Sequence, residues 1–252
     1  MSLYKTLYQI AVSMAALTCG LSIYWTTPML PKFHDNETGI NITEKELSWM
    51  TAMSSPGVMA GSLTTSFIAD KFGRRPALLG SALPITIGTI LLVCATKPWM
   101  LYIMRFLWGC GTGIFITVSS IYLVEIADKD IRGTLTVGSR FMLSFGSFLV
   151  MAIGPFLQYH TLNYMILVLP IAYFAACWWI PETPYYLLKE GKVDTARKEL
   201  QLLRGYEDKK VLEDQLTIMN SDVKKEMRHS GTLKELFTGR QYRKAVIVSG
   251  LS

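Results

Sequence analysis

The sequence has few charged residues for its length. Only 17% of its 252 residues are charged and 50% are hydrophobic, whereas about a quarter of a typical soluble domain is charged. This shortage excludes an ordinary soluble domain and indicates a membrane protein. The net charge of +6 lies mainly in short loops and after Pro181. Because the apolar part has no basic face, the sequence predicts no nucleic-acid partner and favours the lipid bilayer instead.

The sequence also lacks the side-chain clusters that catalysis and metal binding require. Its three histidines are scattered, and "GCGTG" lies within an apolar run without the strand, turn and helix that a phosphate loop needs. The four cysteines lie singly in apolar runs, at spacings typical of buried small side chains rather than of disulfides or metal sites: Cys19, Cys94, Cys110 and Cys177. We therefore predict no enzyme activity, no catalytic residue, no metal and no cofactor.

Long apolar runs are abundant instead. A membrane-spanning helix needs about 20 mainly apolar residues, and six windows qualify: 7–30, 48–69, 77–96, 99–123, 134–157 and 161–180. The first is longer than the apolar core of a signal peptide, and further spans follow it, so we expect it to be retained. A seventh run begins near Ala245 and ends at Ser252, too short to cross a bilayer.

Lysine and arginine are concentrated in alternate loops, which predicts the orientation of the chain. The loops after the second and fourth spans are basic, with Lys71, Arg74, Arg75, Lys129 and Arg132, whereas "QYHT" after the fifth has neither lysine nor arginine. The first loop contains two acceptor sequences for N-glycosylation, at Asn36 and Asn41. Both patterns predict a cytoplasmic N-terminus.

The segment from Pro181 to Arg243 is more polar and reads as two amphipathic helices. In "KVDTARKELQLLRG" the apolar positions recur at helical spacing, and "KKVLEDQLTIMNSDVKKEM" follows the same pattern. We expect these helices to pack against each other or under the bundle, with binding to the lipid surface as the alternative. The chain thus divides into a bundle over 1–180, a cytoplasmic linker over 181–243 and the start of a seventh span over 244–252.

Four motifs occur in order along this pattern: "DKFGRR", "RFLWGCGTG", "YLVEIADKDIRG" and "PETPYYLL". They resemble the motifs of the sugar porters, the glucose-transporter-like branch of the major facilitator superfamily, and "GLSIYWTTPMLPKF" is similar to the insect trehalose-transporter group. The resemblance implies an all-α membrane protein, with the N-terminal six-helix bundle of a major facilitator fold plus cytoplasmic linker helices. It also implies a plasma-membrane location, a sugar substrate and a C-terminal half that this chain does not include.

The resemblance further implies a cytoplasmic gate of salt bridges that forms when such a transporter faces outward. The matching charges are Asp70, Arg74, Arg75, Glu125, Arg132 and Glu182. The alternative is a set of solvated charges that only orients the chain. Asp128 and Tyr185 depart from the family pattern, which has proline and arginine there.

Substrate contacts are predicted on the first and fifth spans. Span one has Trp25 and Thr26 near Pro28, where the helix is expected to bend. Span five has Arg140, Ser144 and Ser147 on one face, and many family members carry a sugar-binding glutamine at the position of Arg140. The alternatives are an interface position for Trp25, a hydrogen bond from each serine to its own helix, and an Arg140 that extends to the cytoplasm.

No acidic residue lies in the middle of any predicted span. Arg105, early in the fourth span, therefore has no carboxylate opposite it in span one, and we expect it to bond to backbone carbonyls. Because a proton relay needs ionisable groups, this favours facilitated transport by alternating access over proton symport. The other alternative is a non-transporting sensor or assembly partner, and we expect this chain not to transport by itself. Gly109, Gly113, Gly146 and Gly154 are predicted helix-packing positions.

Overall fold

The computed structural model describes residues 3–35, 37–126, 132–178, 180, 182–204 and 209–229. Within these ranges the chain forms helices and turns and no strand, as the sequence predicts. The α-helices in chain order are α1 (Leu3–Tyr24), α2 (Thr26–His34), α3 (Glu44–Ala52), α4 (Ser54–Phe72), α5 (Arg74–Val93), α6 (Pro98–Ile126), α7 (Arg132–Ile153), α8 (Tyr159–Trp178), α9 (Pro184–Lys189), α10 (Val193–Arg204) and α11 (Lys209–His229).

Five helical segments of the described chain are long and apolar enough to cross a membrane. They are Gln9–His34, Arg74–Val93, Pro98–Ile126, Gly133–Phe156 and Tyr159–Trp178, within a few residues of predicted spans one, three, four, five and six. The second predicted span is also helical, as α3 and α4. It is absent from the five because serine and threonine recur along α4 and lower its hydropathy.

The first span is interrupted at Trp25, where α1 ends and α2 begins. Pro28 has no N–H to donate to the carbonyl of Tyr24, and its ring crowds that carbonyl. The helix break that the sequence predicts near Pro28 therefore lies at Trp25. The helix after the break, α2, contacts the short 3-10 turn Gly154–Phe156, where a Cβ on Gly154 would contact the ring of Pro28.

Small residues allow the spans to approach closely. A Cβ on Gly57 or Gly61 would overlap the backbone of α6, and a Cβ on Gly109 or Gly113 would overlap the backbone of α4. Glycine pairs four residues apart thus interlock across the α4–α6 contact, which confirms the packing role predicted for Gly109 and Gly113. The α1–α7 contact uses the same device, since a Cβ on Gly146 would overlap the carbonyl of Leu17.

All four cysteines are free thiols. Cys19 and Cys177 are buried and Cys110 is partly buried, as expected for small apolar side chains. Cys94 is exposed, which corrects the expectation of burial for that residue. It directly follows the last residue of α5.

The linker helices form a second, smaller core. Residues of α9, α10 and α11 pack together there: Leu187, Leu188, Ala196, Leu200, Leu212, Leu216 and Val223. The expectation that the two amphipathic helices contact each other is confirmed. The predicted start of a seventh span, 244–252, lies outside the described residues.

Candidate functional site

Five of the six charges predicted to form a gate lie together at one end of the bundle, and we call them the charge cluster: Asp70, Arg74, Arg75, Glu125 and Glu182. Arg74 begins α5, and Glu125 is near the end of α6. The Nε and Nη2 atoms of Arg74 donate to Oε1 of Glu125 at 2.9 and 2.8 Å. The two side chains are only 8% and 9% exposed. Removing one partner of such a buried pair strands the other charge away from water, which is strongly destabilising.

The Glu182 carboxylate lies against the N-terminus of α5. It accepts the backbone N–H of Arg74 at 3.0 Å, the N–H of Arg75 at 3.2 Å and the N–H of Thr183 at 3.0 Å. A helix N-terminus has unpaired N–H groups and a positive dipole end, so it is a favourable place for an anion. Burial raises the pKa of the Glu182 carboxyl, and the backbone donors act in the opposite direction.

Gly73 makes this approach possible. Its φ is 106° and its ψ is 170°, a conformation open essentially to glycine alone. A Cβ at this position would overlap the carboxylate of Glu182 and lie 3.0 Å from the ring of Tyr186. The glycine of "DKFGRR" is therefore required both by its backbone conformation and by the carboxylate beside it.

Three further residues of this end were not identified from the sequence. Thr183 donates through Oγ1 to Oε2 of Glu125 at 2.6 Å and also caps α9. The Tyr186 hydroxyl donates to the carbonyl of Lys71 at 3.1 Å, and Lys189 pairs with Asp70 at 3.0 Å. A threonine directly before a proline is a helix-start signal. The stretch "TPYYLLK" therefore carries a signal for the start of α9, but no signal for these contacts.

The two remaining gate candidates are Arg75 and Arg132. The described side chain, that of Arg75, forms a hydrogen bond to a backbone carbonyl in place of the predicted salt bridge. The Arg75 guanidinium donates to the carbonyl oxygen of Trp178 at 2.7 Å. Arg75 therefore joins the cluster through its backbone N–H on Glu182 and through this carbonyl. Arg132 begins α7, but its side chain lies outside the described structure, and its gate role stays a prediction.

Trp25 and Thr26 lie inside the bundle. Trp25 is fully buried, and its Nε1 donates to Oδ1 of Asn163 on α8 at 3.0 Å. Its ring meets Trp108 edge to face, with centroids 5.8 Å apart. Thr26 is 6% exposed. This burial places Trp25 in the core rather than at the lipid interface, and the predicted sugar contacts of both residues stay predictions.

Two cavities lie along α6. The larger has a volume of about 340 Å³ and is lined by Ser22, Ile23, Ser54, Ser55, Val58, Met59, Arg105, Trp108, Gly109, Thr112 and Ile116. The smaller has a volume of about 120 Å³ and is lined by Phe115, Ile116, Ser119, Ser120, Leu123, Thr136, Ser139, Arg140 and Leu143. Because Ile116 belongs to both walls, the cavities are neighbours along one face of this helix.

Arg105 lies in the wall of the larger cavity and is 3% exposed. Its Nη1 donates to the carbonyl oxygen of Ser22 at 2.8 Å, whereas its buried Nε has no hydrogen-bond partner. In the described part of the chain no carboxylate lies within ion-pair distance of it. The contact with α1 is of the type that a structural clamp requires.

The span-five candidates are separated by the structure. Arg140 is exposed and lines the smaller cavity, whereas Ser144 is exposed and lines neither cavity. Ser147 is buried and donates to the carbonyls of Gly20 and Leu143 at 3.3 and 3.1 Å. Arg140 is thus the span-five candidate best placed for a substrate, and all three assignments stay predictions.

The loop with the glycosylation sequences lies at the opposite end of the α3–α4 segment from the charge cluster. Asn41 is exposed there, just before α3. Asn36 lies outside the described residues. The structure therefore separates this loop from the basic α4–α5 turn, as the predicted orientation requires.

Comparisons with known proteins agree with this architecture. A family model described as "Sugar (and other) transporter" matches residues 8–251. The chain is 30% identical over 202 residues to a facilitated trehalose transporter of Aedes aegypti and 30% identical over 204 residues to one of Drosophila sechellia. These matches cover 80% and 81% of this chain but 25% and 24% of the two relatives.

Solved structures of a bacterial protein share the fold. The proton:xylose symporter XylE bound to 6-bromo-6-deoxy-D-glucose superposes with a TM-score of 0.78 at 18% identity, over 94% of this chain and 56% of that chain. XylE from E. coli in a partially occluded inward-open conformation gives a TM-score of 0.73 at 18% identity, over 94% and 62%. At this identity the likeness concerns the fold alone.

Proposed function

This chain belongs to the sugar transporter family of the major facilitator superfamily, and on that premise we propose that it serves facilitated transport of a sugar by alternating access. Trehalose and hexoses are the first substrates to test, since the trehalose transporters of Aedes aegypti and Drosophila sechellia are similar in sequence. The spans make it a multi-pass membrane protein. We place it in the plasma membrane with a cytoplasmic N-terminus, in keeping with its basic loops.

The surroundings of Arg105 carry the proposal of uniport. Proton coupling requires an ionisable partner that gains and loses a proton during the cycle. The first span, Gln9–His34, contains no aspartate or glutamate, and Arg105 bonds instead to the carbonyl of Ser22. A backbone carbonyl does not titrate, so this contact cannot link sugar movement to a proton.

The charge cluster supports alternating access. It connects the α4–α5 turn, the end of α6 and the start of α9 through Arg74, Glu125 and Glu182. We propose that this cluster is the cytoplasmic gate on this side of the transporter. Breaking and reforming such interlocked contacts is a recognised way to switch between two discrete arrangements.

A second helical half would complete the substrate path. The two cavities lie along one face of α6, so a partner packed over that face would enclose them. In transporters of this fold the two halves rock around a site near the bilayer midplane. We propose that this face meets such a half, and that the chain alone does not transport.

Uptake measurements test the proposal. The chain would be produced alone and joined to the remaining spans of the Aedes aegypti relative, in cells with low endogenous sugar uptake. The joined chain is expected to take up labelled trehalose or glucose saturably, with no loss of rate when a protonophore is added. The joined R74Q variant is the gate-disrupted control. Uptake that collapses with protonophore would contradict uniport, and saturable uptake by the chain alone would contradict the need for a second half.

A further inference from the structure

The two cavities along α6 both contain an arginine. Arg105 lines the larger one and Arg140 the smaller one, and the shared wall residue Ile116 makes them neighbours. Among the described residues that line these cavities there is no aspartate or glutamate. The face proposed to carry the substrate is therefore positively charged at two positions, without a protein counter-charge in its walls.

Arg105 has unused hydrogen-bonding capacity. Arginine stays protonated in proteins, and its guanidinium has five N–H donors. One nitrogen donates to the carbonyl of Ser22, whereas Nε is buried without a partner. A buried cation that is met only by a carbonyl oxygen is poorly compensated, because carbonyl groups carry partial charge. A ligand with a full negative charge would compensate it better.

Arg140 is a second cation without an ion-pair partner among the described residues, and it lies at the neighbouring cavity. It is exposed, and in the described part of the chain its guanidinium has no ion pair. An anionic ligand that leaves the larger cavity along α6 would therefore meet a second cation. Two unpaired arginines along one face favour an anion over a neutral ligand and disfavour a cation.

The geometry points to a sugar that carries one carboxylate, a hexuronate, as a substrate of this path, and we propose this on the basis of the transport function proposed above. The cavity of about 340 Å³ is within the usual range for small-molecule sites. Its wall includes the hydroxyl-bearing residues Ser54, Ser55 and Thr112, which suit sugar hydroxyls, while the Arg105 guanidinium matches a carboxylate. A phosphate would bring up to about two negative charges into the span, which is harder to compensate.

Binding to the chain itself tests the inference. The purified chain in lipid nanodiscs would be titrated calorimetrically with D-glucuronate, with D-glucuronamide as its neutral analogue, and with D-glucose. Glucuronate is expected to bind at least about tenfold more tightly than glucuronamide, since a charge-assisted hydrogen bond exceeds a neutral one by roughly that factor. R140Q and R105Q are each expected to reduce this preference. R197Q, on a linker helix outside the bundle, is the control and should leave it unchanged.

The outcomes separate this inference from the transport proposal. If glucose or glucuronamide binds as tightly as glucuronate, the inference is wrong while sugar transport stands. If none of the three binds, the inference is also wrong, and the uptake of neutral sugars decides the transport proposal separately. If R105Q does not fold, R140Q still decides, because the Arg140 side chain is exposed and folding does not depend on its burial.

Discussion

The charge cluster at the end of the bundle and the cavity around Arg105 each contain a buried arginine, but the two arginines have different partners. Arg74 is buried against the Glu125 carboxylate, and the N-terminus of its helix meets Glu182. Arg105 is equally buried but meets a carbonyl oxygen and leaves one N–H group unpaired. Both arginines are buried, and the difference lies in the partners that the fold provides.

This difference separates two roles. A charge cluster with a buried ion pair and several hydrogen bonds stabilises one arrangement of helices and resists change until several contacts break together. A buried cation without an ion-pair partner carries a desolvation cost that an anionic ligand would reduce. The end cluster therefore suits the conformational control that we propose for it, and the face of α6 suits the proposed substrate contact.

Removing Arg74 should have the largest effect on stability. R74A would leave the Glu125 carboxylate buried without its counter-charge, and we expect a loss of about 3–5 kcal/mol in the free energy of unfolding. Unfolding by SDS titration in mixed micelles measures this loss. R197A is the matched control, because the exposed pairs of Arg197 on α10 should contribute at most about 1 kcal/mol. Equal losses for the two variants would contradict the assignment of a buried cluster.

Replacing Gly73, at a position of the cluster that only glycine can occupy, should give the next largest loss of stability. G73A combines an unfavourable backbone conformation, costing about 1–3 kcal/mol, with displacement of the Glu182 carboxylate. G191A is the matched control, since Gly191 also has a positive φ, 75°, but nothing lies within 4 Å of its Cβ position. The excess loss of G73A over G191A in the same titration combines the contact with Glu182 and the more restricted backbone conformation of Gly73. No excess would mean that the carboxylate does not occupy this position.

Replacing Arg105 should cost much less than replacing Arg74. R105Q loses the hydrogen bond to the carbonyl of Ser22 but also removes a poorly compensated buried charge. These effects oppose each other, so we expect a net change within about 1 kcal/mol in the free energy of unfolding. A loss of unfolding free energy as large as that of R74A would show that Arg105 is as well compensated as Arg74, which would contradict the contrast between the two arginines.

The smallest effect concerns pH. Because burial raises the pKa of Glu182, the folded chain keeps a proton that the unfolded chain loses between the ordinary value of 4.5 and the folded value. This group therefore adds stability at low pH, and its contribution falls as the pH rises through that window, by less than about 1.4 kcal/mol per pH unit. The difference in unfolding free energy between the native chain and E182Q should show this slope. If the native chain instead gains stability relative to E182Q as the pH rises, the pKa of Glu182 is lowered rather than raised by folding.

Local patterns in the sequence predicted most of the fold and part of the site. Apolar runs and the spacing of Gly109 and Gly113 follow from residues close in the chain, and the structure confirms the helices and their glycine contacts. The second span was also predicted, at 48–69, although the structure forms it from two helices, α3 and α4. The contact of Thr183 with Glu125 joins residues 58 positions apart, and no local pattern encodes such a pairing.

The site residues show the same limit. The burial of Trp25 against Trp108 and Asn163 depends on how three helices meet, which the sequence near Trp25 does not determine. Ser144 and Ser147 were predicted to share a face with Arg140. The structure gives them different surroundings, since Ser147 donates to the carbonyl of Gly20 on α1 and Ser144 lines neither cavity.

The steady-state accumulation of sugar tests the central claim, that Arg105 has no titratable partner among the described residues and that the proposed transport is not coupled to protons. The chain joined to a second half would be reconstituted in liposomes with an inward proton gradient and supplied with labelled glucose. We predict that the internal concentration rises to the external concentration and stops there, with or without the gradient. Accumulation above the external concentration that requires the gradient would contradict the account.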